Sequence, residues 1–208
     1  MRTHTKETQA SLTPEKALNF LKEGNLRFQQ NLKANRNLLQ QVNETGDGQF
    51  PFAAILSCID SRVSAELVFD QGLGDIFSIR IAGNFVNEDI LGSMEFACKL
   101  AGSKLIVVLG HSKCGAIKGA CDNAKLGNLT AMLGKIMPAV EAVKEPSENR
   151  NSGNSEFVEK VSHTNVDMTI QNIKKQSPVL KEMLDRGEIA IVGAMYDVET
   201  GEVTFMES

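Results

Sequence analysis

The sequence lacks several features that mark membrane proteins and nucleic-acid-binding proteins. Its longest strongly apolar run, residues 105–109, is far too short to span a bilayer, and residues 1–16 contain no apolar signal-peptide core. No dense basic run occurs, and the formal net charge of −4 leaves no electrostatic footprint for nucleic acid or an anionic membrane. These absences predict a cytoplasmic protein that binds neither nucleic acid nor membrane.

Internal repeats and long low-complexity tracts are also missing, so the chain is of ordinary globular type. Its 208 residues are 42% hydrophobic and 23% charged, which suffices for one substantial domain. We divide this single domain into an N-terminal tail and helical arm, residues 1–34, and a main α/β part, residues 35–208. Within the main part, the polar segment 145–155 is predicted to be a surface connector.

The arm is predicted to form the first helix of the chain. Thr13 or Ser11 can cap it, Pro14 lies in its first turn, and the helical pattern continues to about residue 34. Its apolar stripe consists of Ala17, Leu18, Leu21, Leu26 and Phe28. The stripe can pack on its own domain or dock across a subunit partner, and the sequence does not choose between them. The segment before it, including His4, is expected to be disordered.

The main part is predicted to have an α/β fold with a mostly parallel central sheet flanked by helices. Short β-prone runs alternate with helical stretches, as in βαβ units. The runs cover residues 52–57, 75–80, 104–110 and 188–197. The helices are expected at about 88–101, 115–124, 129–144, 155–175 and 177–186. A turn at residues 199–201, between alternating segments, predicts a C-terminal hairpin at the sheet edge.

The four cysteines are predicted to be reduced, because a domain of this size without an export signal seldom depends on disulfides. Cys98 and Cys121 lie in helical patterns, where a small buried hydrophobic side chain is the ordinary interpretation. Cys58 and Cys114 instead lie where predicted strands end.

Two short motifs, SCIDSR and VVLGHSKCG, place Cys58, His111 and Cys114 directly after predicted strands. The carboxyl ends of parallel strands form the functional edge of an open sheet, so the three side chains are expected to meet there. Two thiolates and one imidazole suit Zn²⁺ and leave one coordination position for chemistry. The motifs therefore predict a zinc enzyme.

The two motifs together, CxDSR at 58–62 and GHxxCG at 110–115, resemble those of the β-class carbonic anhydrases. The likeness extends through GDIFSIRIAGN (74–84), SMEFA (93–97) and YDVETGEV (196–203). It implies one Zn²⁺ per chain on Cys58, His111 and Cys114. It also implies a carbonate dehydratase activity, the reversible hydration of carbon dioxide to bicarbonate and a proton, with Asp60 and Arg62 as the catalytic pair.

The charge of such a site assigns roles to this pair. Two thiolates bring zinc to a net charge near zero, so its bound water should be less acidic than on a three-histidine site. Asp60 would accept a hydrogen bond from the zinc-bound hydroxide, and Arg62 would hold Asp60 in a bidentate pair. If Asp60 left Arg62 it could become the fourth metal ligand and close the site, so we predict Asp60 as both catalytic residue and conditional ligand. The competing interpretation of the pair is a plain surface salt bridge.

The resemblance also separates two subclasses. Closed-site members carry a tryptophan three residues before the first cysteine, where this chain has Ile55, although Arg80 matches an arginine of their bicarbonate site. Open-site members carry a glutamine nine residues before that cysteine, and Gln49 stands there. The open form is therefore favoured, with Gln49 donating a hydrogen bond to a substrate oxygen.

Two aromatic residues complete the substrate site that the resemblance implies. Phe77 would form an apolar wall for carbon dioxide, and Phe96 follows Glu95 where that subclass has a tyrosine, so a hydroxyl is lost. The pocket of such enzymes is shared across a dimer, which implies a homodimer or a dimer of dimers. Both phenylalanines could equally be core residues.

Other functions remain open at this point. GHSKC nearly matches a nucleophile elbow that would make Ser112 a hydrolase nucleophile, and GHSKCG has the outline of a phosphate loop without its lysine. The same zinc ligands could serve a hydrolase of carbon disulfide or carbonyl sulfide, or a non-enzymatic structural zinc module. His163 is considered as a proton shuttle, but a surface histidine is the simpler interpretation.

Overall fold

The computed structural model describes residues 2–206, and a five-stranded sheet forms its centre. The strands are β1 (Ala53–Ser57), β2 (Ile76–Arg80), β3 (Leu105–His111), β4 (Ala190–Tyr196) and β5 (Val203–Phe205). Their order across the sheet is β2-β1-β3-β4-β5, with the first four parallel and β5 antiparallel to β4. The predicted α/β fold, its mostly parallel sheet and its C-terminal edge hairpin are confirmed.

Ten α-helices surround this sheet in the described part of the chain. They are α1 (Lys6–Ala10), α2 (Pro14–Gln29), α3 (Leu38–Thr45), α4 (Ala65–Val68), α5 (Glu88–Glu95), α6 (Gly115–Cys121), α7 (Gly127–Gly134), α8 (Met137–Ala142), α9 (Ser155–Gln176) and α10 (Pro178–Asp185). A π-helical turn, Phe96–Leu100, continues α5. No helix in the described residues is both long and apolar enough to cross a membrane. The cytoplasmic location stays a prediction.

Both faces of the sheet are covered, which explains why β1 and β3 are buried along their whole length. Side chains alternate between the faces. On one face, Ile55 and Val107 pack with Leu21 of α2. On the other, Leu56 and Val108 pack with residues of α5, α9 and α10.

The buried stripe of α2 packs on the sheet of its own chain. Ala17 and Leu21 are fully buried there, and the side chain of Asn25 donates to the carbonyl oxygens of Val68 and Gly201 at 3.0 and 2.9 Å. Gly24 lies against the backbone at the end of α4. A Cβ atom at this position would stand 1.8 Å from the carbonyl oxygen of Phe69. The Ala17 and Leu21 part of the predicted stripe thus packs on its own domain, whereas Leu26 is 54% exposed. Docking of the arm across a subunit partner stays a prediction.

The arm differs from its prediction at both ends. Thr13 caps α2, but the helix ends at Gln29 because the chain turns at Asn31, which has a φ of 53°. The prediction of a disordered N-terminal tail is wrong. Helix α1 begins after a capping box at Thr5, and the ring of His4 packs against the rings of Phe20 and Phe52.

The helix predicted over residues 129–144 is two helices, α7 and α8, separated at Lys135 and Ile136. Pro138 lies in the first turn of α8, where its missing N–H costs nothing, whereas inside one long helix it would break the hydrogen-bond ladder. The other predicted helices are found with bounds within a few residues, apart from α5, whose C-terminal part is the π-helical turn.

Candidate metal centre

The three predicted ligands meet at the carboxyl edge of the sheet. Cys58 follows β1 directly, His111 is the last residue of β3, and Cys114 is the N-cap residue of α6. Because β1 and β3 are parallel neighbours with Ser57 opposite Leu109, their ends coincide. The ligand atoms of these three buried residues all lie within 4.8 Å of one another.

The spacing of these donors suits zinc. The sulfur atoms of Cys58 and Cys114 are 3.9 Å apart, and two sulfurs at about 2.3 Å from a tetrahedral zinc would be about 3.8 Å apart. The Nδ1 atom of His111 faces the carbonyl oxygen of Ser112 at 2.9 Å and therefore carries the ring proton. The other nitrogen, Nε2, is buried without a hydrogen-bond partner among the described residues. Its lone pair is thus available to a metal.

One of the two cysteine sulfurs, that of Cys58, is already biased toward thiolate. A hydrogen bond from Cys114 lowers the pKa of the Cys58 thiol, and the backbone amides of Gly83 and Asp60 act in the same direction. That shared contact, together with burial, raises the pKa of Cys114. Metal binding would remove this imbalance, because a cation would stabilise both thiolates.

Asp60 is held beside this cluster by Arg62. The Nε and Nη2 atoms of Arg62 donate to the two carboxylate oxygens at 2.9 and 2.7 Å, and its backbone amide donates to Oδ1 at 3.0 Å. These hydrogen bonds hold the pKa of Asp60 well below its usual range. The side chain of Asp60 is only 16% exposed, and the contact is bidentate, unlike a plain surface salt bridge. In this geometry Asp60 stands outside the three-ligand group, and its role as conditional ligand stays a prediction.

Arg80 supports the same turn in a way that the sequence did not indicate. Its Nε and Nη2 atoms donate to the carbonyl oxygens of Cys58 and Asp60. The resemblance had suggested only a partial match to a bicarbonate site. The contact arises because Arg80 ends β2 opposite Ser57, and that register is not readable from a single sequence.

The predicted substrate-binding residues lie apart from the ligands of the same chain. Phe77 is paired in register with Ala54, four residues before Cys58 and so roughly 13 Å along the strand. Its ring packs edge-to-face on that of Phe96, with centroids 6.1 Å apart. Gln49 is exposed, ahead of the amino end of β1. The structure brings the two phenylalanines together but places them away from the three predicted metal ligands.

The remaining candidates have structural surroundings. Burial raises the pKa of Cys98 to about 12 and that of Cys121 to about 11, as expected of inert core thiols. His163 lies on α9 with Nε2 3.4 Å from a carboxylate oxygen of Glu159, in a half-exposed pair. The hydroxyl of Ser112 accepts from the backbone amide of Val198 and donates to the side chain of Asp197 rather than to a histidine, which disfavours a nucleophile elbow.

Comparisons with known proteins agree with this geometry. A family model described as carbonic anhydrase matches residues 53–203, well over half of the chain. Carbonic anhydrase 2 of Mycobacterium tuberculosis is 37% identical over 199 residues, which cover 93% of each protein. A carbonic anhydrase of Mycolicibacterium smegmatis is 37% identical over 194 residues, which cover 91% of this chain and 92% of the relative.

A solved structure extends the likeness to three dimensions. The β-carbonic anhydrase CafA of Aspergillus fumigatus matches with a TM-score of 0.71 and 27% identity, covering 93% of this chain and 90% of that one. This structural match and the family match indicate the same class of enzyme as the zinc-binding residue types found together at the edge of the sheet. The chain therefore belongs to the carbonic anhydrase family, in its β class.

Proposed function

We propose that the protein catalyses the zinc-dependent, reversible hydration of carbon dioxide to bicarbonate and a proton. The observation that carries this proposal is a buried donor set, Cys58, His111 and Cys114, with an ionised Asp60 held beside it by Arg62. Three protein ligands leave one position of a tetrahedral site for chemistry. When bound, zinc supplies the Lewis acidity that makes hydroxide available near neutral pH.

Asp60 orients the attacking oxygen. Since Arg62 keeps the pKa of this carboxyl low, Asp60 is ionised at neutral pH and would accept a hydrogen bond from the attacking oxygen. Asp60 would thereby direct the lone pair of that oxygen at the carbon atom of carbon dioxide. By holding Asp60, Arg62 would also keep it away from a metal bound to the three ligands, which corresponds to the open form of the site. In the closed form, Asp60 would leave Arg62 and occupy the fourth position itself.

We infer that Gln49, Phe77 and Phe96 complete the pocket of a second copy, in a homodimer or a dimer of dimers. Two observations support this inference. The phenylalanine pair lies along the strand away from the ligands of its own chain. The strand that carries Phe77, β2, lies at the edge of the described sheet, where its free backbone groups can pair with another chain.

The direct test combines stopped-flow carbon dioxide hydration, from neutral to alkaline pH, with metal analysis of the purified protein. We expect rapid hydration and one zinc per chain, and neither in a Cys58→Ala variant. Zinc without hydration at any pH would overturn the proposal. In that case, assays with carbon disulfide and carbonyl sulfide would separate the related hydrolase from a structural zinc module.

A further inference from the structure

The two residues between His111 and Cys114 are bound to the end of β4 and to the hairpin turn that follows it, residues 197–202. The backbone amide of Ser112 donates to the carbonyl oxygen of Tyr196 at 2.9 Å. The hydroxyl of Ser112 accepts from the backbone amide of Val198 at 3.0 Å and donates to Asp197 Oδ1 at 3.4 Å. The connection between two metal ligands is thus tied to a distant part of the chain.

This connection needs such support because its backbone is unfavourable. Lys113 has a φ of 57°, a left-handed conformation that a residue with a Cβ seldom adopts without stabilising surroundings. The turn at Lys113 reverses the chain, so that the side chain of Cys114 faces that of His111, three residues earlier in the sequence. The hydrogen bonds of Ser112 lie directly before it and fix the point from which the turn begins.

Ser112 also sets the orientation of the histidine ring. Its carbonyl oxygen is 2.9 Å from Nδ1 of His111, and this contact directs Nε2 toward the two sulfurs. A shift of the Ser112 backbone would therefore rotate the ring and displace Cys114 together. Partners of this kind around metal ligands commonly change metal affinity when they are removed.

We propose that the hydroxyl of Ser112 is a positioning group for the metal site. Bound between Val198 and Asp197, it holds the connection in the shape that aims His111 Nε2 and Cys114 Sγ at one ion. This inference rests on the zinc site of the proposed function, but it concerns a residue outside the ligand set.

A second contact joins the same segments and provides the control. Lys113 Nζ lies 2.6 Å from a carboxylate oxygen of Glu199, but the two side chains are 50% and 65% exposed. An exposed ion pair of this kind contributes little, because water screens it and both long side chains lose freedom. The hydroxyl of Ser112, not this ion pair, is the group that we expect to matter.

The test compares Ser112→Ala, Ser112→Thr and Glu199→Gln in the full chain. Zinc affinity is measured by competition with a chromogenic chelator, and ligand geometry by the visible spectrum of the cobalt-substituted protein. Melting of the metal-free proteins identifies a temperature at which all variants are folded. We expect Ser112→Ala to bind zinc about tenfold more weakly, with an altered cobalt spectrum. Ser112→Thr should restore most of the affinity, and Glu199→Gln should match the wild type.

Two results would overturn the inference. One is wild-type zinc affinity and an unchanged cobalt spectrum in Ser112→Ala. The other is an equal loss of affinity in Ser112→Ala and Ser112→Thr, which would show that the hydroxyl is not the relevant group. A wild-type protein that binds no zinc would instead contradict the proposed function, so the two failures are distinguishable.

Discussion

The side chain of Arg80 donates from Nε to the carbonyl oxygen of Cys58 at 3.0 Å. A second hydrogen bond, from Nη2 to the carbonyl oxygen of Asp60 at 2.7 Å, means that one guanidinium holds two points of the same turn. That turn carries both the first metal ligand and the proposed catalytic carboxylate. Strand β2 therefore determines the conformation of the loop that follows β1.

Replacing Arg80 by alanine should loosen this turn and lower the hydration rate about tenfold. Losses of this size are typical when a residue that contacts a metal ligand, but not the metal itself, is replaced. Stopped-flow rates and zinc content measure the effect. Arg186→Ala is the matched control, because Arg186 pairs with Glu182 on the surface of α10 and should be dispensable. Equal rates for Arg80→Ala and the wild type would show that the turn keeps its shape unaided.

Arg62→Ala should lower the hydration rate at neutral pH by about a hundredfold or more, because Asp60 would lose the group that orients it. Arg62→Lys keeps the charge but not the two-pronged contact, and should recover only part of the rate. Stopped-flow measurement at equal zinc loading separates orientation from metal loss. A wild-type rate in Arg62→Ala would contradict the proposed role of the pair.

The same pair predicts a pH dependence of stability. The folded pKa of Asp60 is depressed by Arg62, so the pair stabilises the fold at pH values above the ordinary aspartate pKa of about 4. This contribution is lost as the pH falls below that value. The difference in free energy of unfolding between the wild type and Arg62→Ala, measured with urea, should therefore shrink in acid. A difference that grew on acidification would contradict this linkage.

Cys58→Ala should abolish zinc binding and turnover, because it removes one of three ligands from a site that needs all of them. Cys121→Ala is the matched control. Burial raises the pKa of its thiol to about 11, and it is expected to keep full zinc content and rate. Full activity in Cys58→Ala would refute the ligand assignment.

A hybrid experiment tests the shared pocket. The double variant Gln49→Ala/Phe77→Ala keeps its metal ligands, whereas Cys58→Ala keeps the pocket side chains, and each should have little activity alone. If the pocket is completed by a second copy, the co-expressed mixture should regain about a quarter of the wild-type rate, since half of random dimers would be hybrids with one intact site of two. No recovery in isolated hybrids would place the pocket within one chain.

Gly24→Ala should destabilise the protein by about 1–3 kcal/mol or more, because the new methyl group would collide with a backbone carbonyl and push α2 off the sheet. Gly92→Ala is the control, since a Cβ at that helical position meets nothing within 4 Å. It should be neutral or slightly stabilising. Chemical denaturation measures both, and equal stabilities would contradict the packing of α2 on its own domain.

The group of three metal-ligand residues could be predicted because they lie at or just beyond the ends of strands that the local sequence identifies clearly. A run such as LIVVLG identifies a buried strand, and a parallel sheet brings successive strand ends to one edge. The positions of Cys58, His111 and Cys114 relative to one another follow from that rule. Local sequence and a general property of sheets were enough.

The parts that escaped prediction depend on contacts between distant segments. The role of Arg80 depends on which residue of β1 lies opposite it, and that of Ser112 on the hairpin turn more than eighty residues later. Helix α4 spans too few residues for apolar periodicity to show, and in α3 the buried residue is the polar Gln41 rather than an apolar stripe. The break between α7 and α8 was readable from Pro138, but the surrounding apolar pattern suggested one continuous helix.

The separation of 3.9 Å between the sulfurs of Cys58 and Cys114 also predicts that the apoprotein is sensitive to oxidation. A disulfide requires the sulfurs to approach to about 2.05 Å, a small movement for side chains on two loops. Cys58 and Cys114 would be held as ligands of zinc when the metal is bound, so the metal would also protect them from forming this disulfide. Protein stripped with a chelator in air should therefore lose the ability to take zinc back, and a reductant such as a phosphine should restore it.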